Sequence, residues 1–115
     1  MTAYRKGDVV LVDVEFTDRT GSKLRPAVVL SVIEYNQNGQ DVVIAPITSN
    51  LGTTPHLGDY RVVFWQRAGL LAPGIVQAKP TTVEAMFIKR QVGTLLFDDL
   101  AGVEAGLRQA LDLPR

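Results

Sequence analysis

The chain has no cysteine, one histidine, no excess charge of either sign and no long apolar run, and each absence closes a class of function. Without cysteine there is no disulfide scaffold, no thiolate nucleophile and no cysteine-rich zinc site, a pattern that fits a reducing compartment. A lone histidine, His56, argues against a zinc enzyme, and no metal site or cofactor is expected. Twelve Lys plus Arg balance twelve Asp plus Glu, so no bulk positive field draws the chain to nucleic acid, and any such target must be held by a local patch. Aromatics make up only 7% of residues, which favours an aliphatic core over a platform for stacking many bases. No stretch approaches the roughly 20 apolar residues that span a bilayer. The opening MTAYRKGDVV also lacks the apolar segment of a secretory signal, so a soluble, cytoplasmic protein without a membrane partner is expected.

What is present reads as one domain over residues 1–115, since no linker or shift in composition divides it. Gly7 and Asp8 open a first strand in which Val10, Val12, Val14 and Phe16 alternate with Leu11, Asp13 and Glu15. The polar segment TDRTGSKLR, residues 17–25, reads as a surface connection whose tip can work as a flap. Residues 27–33, AVVLSVI, form a second strand apolar on both faces, and residues 34–40 form a turn. DVVIAPI is a third strand ending near Pro46, followed by an exposed stretch. DYRVVFWQ and GIVQAK predict two more strands, Pro80 to Met86 a helical turn, and FIKRQVGTL a last strand. Leu100, Val103, Leu107 and Leu111 then recur at helical spacing, with Asp98 as cap, Pro114 at the end, and Gly102 and Gly106 weakening the helix. Several short strands with one terminal helix predict a mainly β fold, a small and partly open barrel.

Chemistry concentrates at two places. Arg25 precedes Pro26, which restricts it to extended backbone, so its guanidinium leaves the chain in a fixed direction and offers planar donors to phosphate oxygens. A salt bridge to Asp13 or Glu15 is the plainer reading of an isolated Arg-Pro. Thr48 and Ser49 follow strand three, with Asn50 adding an amide, and their hydroxyls can position a ribose or phosphate. A Ser/Thr turn serving nearby backbone amides is the plainer reading there. Pairing of strands two and three as a hairpin brings Arg25 and Thr48 to one end of the ladder, which makes a composite site. Lys23, Lys79 and the pair Lys89 and Arg90 can add local positive charge, although solvated surface is the default for each. His56 sits in a loop and receives no catalytic role. Phe64 and Trp65, as strand neighbours, point to opposite faces, and core packing is their expected use.

Taken together, GDVVLVDVEF, KLRPAVVLS, VVIAPITSN and a VGTL segment before a terminal amphipathic helix resemble the MazF/PemK toxins of bacterial toxin–antitoxin pairs. The resemblance runs over nearly the whole chain, and RPAVVLS and PITSN carry most of it. It implies an SH3-like barrel of the CcdB/PemK type with a C-terminal helix, a homodimer and a cognate antitoxin. It also implies metal-independent, sequence-specific endoribonuclease activity on single-stranded RNA, with Arg25 and Thr48 as catalytic residues and Ser49 as a neighbouring contact; Asn50, Lys23 and Lys79 are further candidate substrate contacts. Family members often carry an acidic or amide residue and then Arg-Thr where this chain has Ala78, Lys79, Pro80 and Thr81, so a proton-transfer carboxylate is absent at Ala78, which implies either a different RNA sequence preference, with Lys79 holding a phosphate, or a weakened enzyme. The alternatives are a non-catalytic toxin of the same fold that binds a protein such as DNA gyrase, and an inactive member of the family.

Overall fold

The computed structural model describes residues 3–15, 22–52 and 54–114. In chain order they form β1 (Asp8–Glu15), β2 (Ser22–Val29), α1 (Ile33–Asn38), β3 (Asp41–Thr48), β4 (Tyr60–Arg61), β5 (Ile75–Val76), β6 (Thr81–Glu84), β7 (Ile88–Thr94) and α2 (Phe97–Leu111). A 3₁₀ turn at Ala85–Phe87 joins β6 to β7. The ladders are antiparallel and follow the order β4-β5-β3-β2-β1-β7, with β6 added along the first half of β3. The fold is therefore mainly β with a C-terminal helix, as the alternation of apolar residues predicts. The expected barrel is left unclosed, because among the described residues β6 is paired with β3 and β7 with β1, and no ladder joins β6 to β7.

Two apolar clusters lie on opposite sides of this sheet. Val9, Val28, Ala45 and Ile47 face α2, which contributes Val103, with Leu100 and Leu107 packed against the cluster. Val10, Val12, Ala27, Val29, Val42, Ile44 and Ile88 fill the other side. Alternate residues of a strand point to opposite faces, so Val28 belongs to one cluster and its neighbours Ala27 and Val29 to the other. That is the covering on both faces which the continuous apolar run after Pro26 requires. Each fully buried valine contributes about 1.5–3 kcal/mol, and Val9, Val10, Val28, Val29 and Val42 are all fully buried.

Several boundaries differ from the sequence expectation, and each difference has a local cause. Strand two runs from Ser22 to Val29, not from residue 27 to 33. Pro26 is accommodated because it pairs with Leu11 of β1, while the ladder to β3 begins only at the next residue, Ala27. Residues 33–38 are a short helix where a turn was expected. Asn36 is buried there, and its Nδ2 donates to the carbonyls of Tyr4 (2.7 Å) and Ser31 (3.0 Å), which anchors the segment. The hydroxyl of Ser31 bonds Asn36 Oδ1 and also accepts the Val43 amide at 3.0 Å. Strand three continues through Pro46 to Thr48, and Pro46 marks a change of partner: Asp41–Ile44 pair with β6, Ile47 and Thr48 with β5.

The fourth strand is only Tyr60–Arg61, because the buried carboxylate of Asp99 captures the chain that follows. Its Oδ1 accepts the Val63 amide at 3.0 Å and the Tyr60 hydroxyl at 2.6 Å, and its Oδ2 accepts the Phe64 amide at 2.9 Å. Those amides are thereby lost to any ladder, and residues 63–69 form turns instead. The fifth strand is likewise shortened to Ile75–Val76, and residues 81–84 are a strand, not a helical turn. Asp98 is not the helix cap: Leu96 occupies that position, and Asp98 lies inside the first turn. Leu111, last of the predicted stripe, stays 52% exposed. Gly102 and Gly106 have a packing reason. A Cβ at Gly102 would lie 2.1 Å from Tyr60 Cε1, and one at Gly106 would lie 2.1 Å from the Gly58 carbonyl oxygen. The proposed flap falls largely on residues 16–21, outside the described residues, while Lys23, Leu24 and Arg25 belong to β2.

Candidate active site

The register of β2 and β3 builds the site. Ala27 pairs with Pro46, Val28 with Ala45 and Val29 with Ile44. Arg25 lies two residues before Ala27 and Thr48 two residues after Pro46, so the two occupy facing ends of neighbouring strands, just beyond the last rung of their ladder. On its other side Arg25 pairs with Val12 of β1, which is buried, and Thr48 pairs with Ile75 of β5, also buried. Both residues therefore stand on backbone fixed by a packed neighbour. Arg25 is exposed and Thr48 is half-buried.

Thr48 already has one local task. Its Oγ1 accepts the Asn50 amide at 3.1 Å, and Asn50 Oδ1 accepts the Gly52 amide at 3.2 Å. These are the side-chain turns expected after a strand end. They fix the orientation of the Thr48 oxygen, whose hydroxyl proton is not used in that bond.

Beside this edge opens a cleft of about 700 Å³. Its floor is apolar, made by Leu11, Pro26, Ile47 and Val92, and one wall is the turn from Gly69 to Gly74. Lys23, Arg25 and Arg90 line it, no acidic residue does, and Ser49 contributes a hydroxyl. Thr48 is not among the lining residues. Its neighbours Ile47 and Ser49 are, from the alternate face of the strand, so Arg25 marks the border between cleft and Thr48. Among the described residues Lys23 and Arg90 have no ion pair; the pairs present are Lys6–Glu104 and Arg108–Glu104.

The sheet brings Lys23, Arg25, Ser49 and Arg90 to one cleft, with Thr48 at its edge, and leaves Asn50 and Lys79 outside its lining. Ile75 is the residue across from Thr48, and Ala78 lies three positions farther on, roughly 10 Å at the ordinary strand rise. The Gln77 amide bonds the Pro46 carbonyl at 2.8 Å, and the Lys79 amide turns back to the Gln77 carbonyl at 2.8 Å. Lys79 thus sits at a corner between β5 and β6. The carboxylate next to Ala78 is Asp59, whose Oδ1 accepts the Ala78 amide at 2.9 Å and whose Oδ2 accepts the His56 amide at 3.0 Å. Both oxygens are engaged by backbone, which makes Asp59 a clamp. His56 is exposed.

Away from the cleft, Trp65 serves the core as expected and Phe64 does not. Trp65 packs on the cluster under α2, and Phe64, on a turn and not a strand, is 39% exposed. Burial, followed by the hydrogen bond to Asp99 and the nearby charges of Asp99 and Asp98, pushes the Tyr60 hydroxyl up to about 12. Asp99 itself was not singled out by the sequence, because a second acid in a helix's first turn reads as ordinary. The wall of Gly69 to Gly74 was also missed, since a Gly-Pro-Gly loop carries no sign of what it faces. Among the described residues no group of three or more His, Cys, Asp or Glu is placed to hold a metal ion, and no helix is long and apolar enough to cross a membrane.

Fold and site define a small antiparallel β domain with a terminal helix and a cationic cleft beside the ends of β2 and β3. Residues 5–111 match the family described as the PemK-like, MazF-like toxin of type II toxin–antitoxin systems, and the chain belongs to that family. No functionally curated protein matches it. Among solved structures, the chain is 21% identical to the Mycobacterium tuberculosis toxin MazF-mt6, over 94% of this chain and 99% of that one, with a TM-score of 0.77. It is 23% identical to a chain of a MazE–MazF crystal structure from Deinococcus radiodurans, over 98% and 100% of the two, at a TM-score of 0.78. An endoribonuclease from a mycobacterial species in complex with its cognate antitoxin shares 21% identity over 100% and 99%, again at 0.78. At these identities the likeness is one of fold.

Proposed function

We propose that this toxin is a metal-independent, sequence-specific endoribonuclease that cleaves single-stranded RNA, with the Arg25–Thr48 pair as its catalytic centre. The observation that carries the reading is the pairing of β2 with β3, which sets an exposed guanidinium and a hydroxyl at facing strand ends beside a cleft lined by cations and no acid. The nucleophile comes from the substrate: a ribose 2′-hydroxyl attacks the adjacent phosphorus, the bond to the 5′-oxygen of the next nucleotide breaks, and a 2′,3′-cyclic phosphate and a 5′-hydroxyl remain. The protein has to hold the strand in line and stabilise the charge that builds on the phosphate. Arg25 suits the second task as a planar donor that stays charged at any working pH. Thr48 positions the ribose or phosphate through its hydroxyl. Ser49 and Lys23 contact the strand from the cleft, and Asn50 and Lys79 contact it farther along.

The domain, residues 1–115, acts in the cytoplasm, where cleavage of messenger RNA stops translation and growth. A cognate antitoxin restrains it, in keeping with the family and with the antitoxin-bound mycobacterial relative. The active form is a homodimer.

The test is incubation of the purified protein with long unstructured RNA in the presence of a chelator, followed by analysis of the new ends. Discrete cuts bearing cyclic phosphate are expected, and Arg25→Ala slows them by about 10²–10³-fold. Thr48→Ala slows them by less. Intact RNA, or an Arg25→Ala protein that cuts as fast as wild type, would overturn the reading.

A further inference from the structure

The turn that walls the cleft is built not to move. Gly69 has φ +92°, and a Cβ there would lie 2.2 Å from the Val92 carbonyl oxygen, while one on Gly93 would lie 2.1 Å from the Ala68 carbonyl oxygen. Turn and β7 are thus in backbone contact that only glycine at both positions permits. At the far end a Cβ on Gly74 would meet Ile47 Cγ2 at 2.7 Å, so the turn is also seated on β3. Its backbone is tied down as well: the Gly69 amide donates to the Gln66 carbonyl at 3.1 Å, the Leu70 amide to the Trp65 carbonyl at 3.0 Å, and the Gly74 carbonyl accepts the Val62 amide at 3.0 Å. Leu70 is buried as the anchor. Leu71, the next residue, is 100% exposed. A leucine wholly exposed on its own chain contributes nothing to that chain's core, and it stands in the lining of the cleft. From β2 the same cleft receives Leu24, 46% exposed.

We propose that the cleft takes the unpaired nucleobase of a nucleotide next to the scissile phosphate, that Leu71 and Leu24 contact the base, and that the fixed turn sets which bases are accepted. Arg90 and Lys23 hold the adjoining phosphates. This rests on the ribonuclease reading above and deepens it. A nucleotide joins a flat, largely apolar-faced ring to an anion, which matches an apolar floor with a cationic rim. The rim shares Arg25 with the proposed cleavage centre, so a phosphate held there leaves the neighbouring base at the mouth of the cleft. An acidic peptide would satisfy the charges, but nothing would require it to be in step with Arg25.

Two measurements test the proposal: sequencing of the sites cut in a random pool of single-stranded RNA, and binding of short strands made uncleavable by 2′-deoxyribose at the cut position. Leu71→Ala is expected to shift the relative preference among cleavage sites by about tenfold, the scale of a changed apolar contact in a recognition pocket. Arg90→Gln is expected to reduce the slope of log affinity against log salt by about 0.7, the share of one phosphate contact on a single strand. Leu57→Ala, exposed and outside the lining, leaves both readouts unchanged. An unaltered cleavage profile for Leu71→Ala, or an unaltered salt slope for Arg90→Gln, overturns the proposal while the ribonuclease reading stands. So does a Leu71→Ala protein that loses affinity only for a synthetic Leu/Glu peptide, which would make the cleft a peptide site. If the wild type binds single strands and cuts none, the ribonuclease reading falls and the binding measurements alone judge the cleft. If it binds none, both fall.

Discussion

Charge is handled in opposite ways at the head of α2 and at the cleft. Asp99 is fully buried, and its carboxylate accepts one hydroxyl and two backbone amides from residues 60–64. A charge can leave water only where donors replace the lost hydration, so every lone pair given to those donors is committed to architecture. Lys23 and Arg90 instead stay exposed around an apolar floor, with no acid among the lining residues. Exposed cations add little to stability and remain available to a phosphate. Buried charge here decides where the chain goes, and exposed charge decides what the finished surface meets.

Exchanging the effects of the two regions is the severest test of that contrast. Asp99→Ala leaves a hydroxyl and two amides without their acceptor and is expected to destabilise the fold by about 3 kcal/mol or more in urea denaturation, with cleavage per folded molecule retained. Arg25→Ala should do the reverse: large loss of cleavage, and a shift in stability within about 0.5 kcal/mol. Should Asp99→Ala prove as stable as wild type, the contrast collapses.

The Tyr60 hydroxyl sharpens it on the pH axis. Tyr60→Phe removes a hydrogen bond to a charged acceptor and is expected to lower stability by about 1.5–3 kcal/mol. The folded state raises this hydroxyl from 10.0 to about 12, so it favours the protonated form. The contribution is therefore complete below pH 10 and is lost as pH rises from there through about 12. Wild type and Tyr60→Phe should accordingly converge in urea midpoint across that window, and parallel curves would deny the linkage.

A smaller effect is expected at Gly106, where two opposing terms compete. Alanine is the better helix former by roughly 1 kcal/mol, but its Cβ would fall 2.1 Å from the Gly58 carbonyl oxygen, and forcing backbone apart costs about 1–3 kcal/mol. Gly106→Ala should be destabilising by about 1 kcal/mol net, measured by thermal unfolding. Least of all, Lys6→Ala breaks a 3.0 Å pair with Glu104 at the surface and should change stability by no more than about 0.5 kcal/mol.

How much of this was legible in the sequence varies with how local the cause is. Alternation in VVLVDV and the apolar run after Pro26 follow from side-chain period and burial alone, and the first strand and the two-sided core came out as expected, although the second strand begins before Pro26 and ends at Val29. Arg25 and Thr48 were legible as candidates because Pro26 and the strand end act within a residue or two. The helix at residues 33–38 was not, since it depends on Asn36 reaching the Tyr4 carbonyl across 32 positions of chain. Nor was the short fourth strand, which is cut off by a carboxylate more than 30 residues away. Lys79 looked like a neighbour of the site in a linear reading, but the partner change at Pro46 puts it at a corner outside the cleft.

The residues by themselves determined the class of the fold, Arg25 and Thr48 as candidates beside strand ends, and the family to which the chain belongs, because periodicity and short motifs are properties of neighbours. Only the tertiary structure decided that Asp99 is spent on architecture, that the β2–β3 register sets Arg25 across from Thr48, and that a turn clamped by Gly69 and Gly93 walls a cation-lined cleft. Those outcomes rest on backbone contacts between segments far apart in sequence, and such contacts exist only once the sheet has formed.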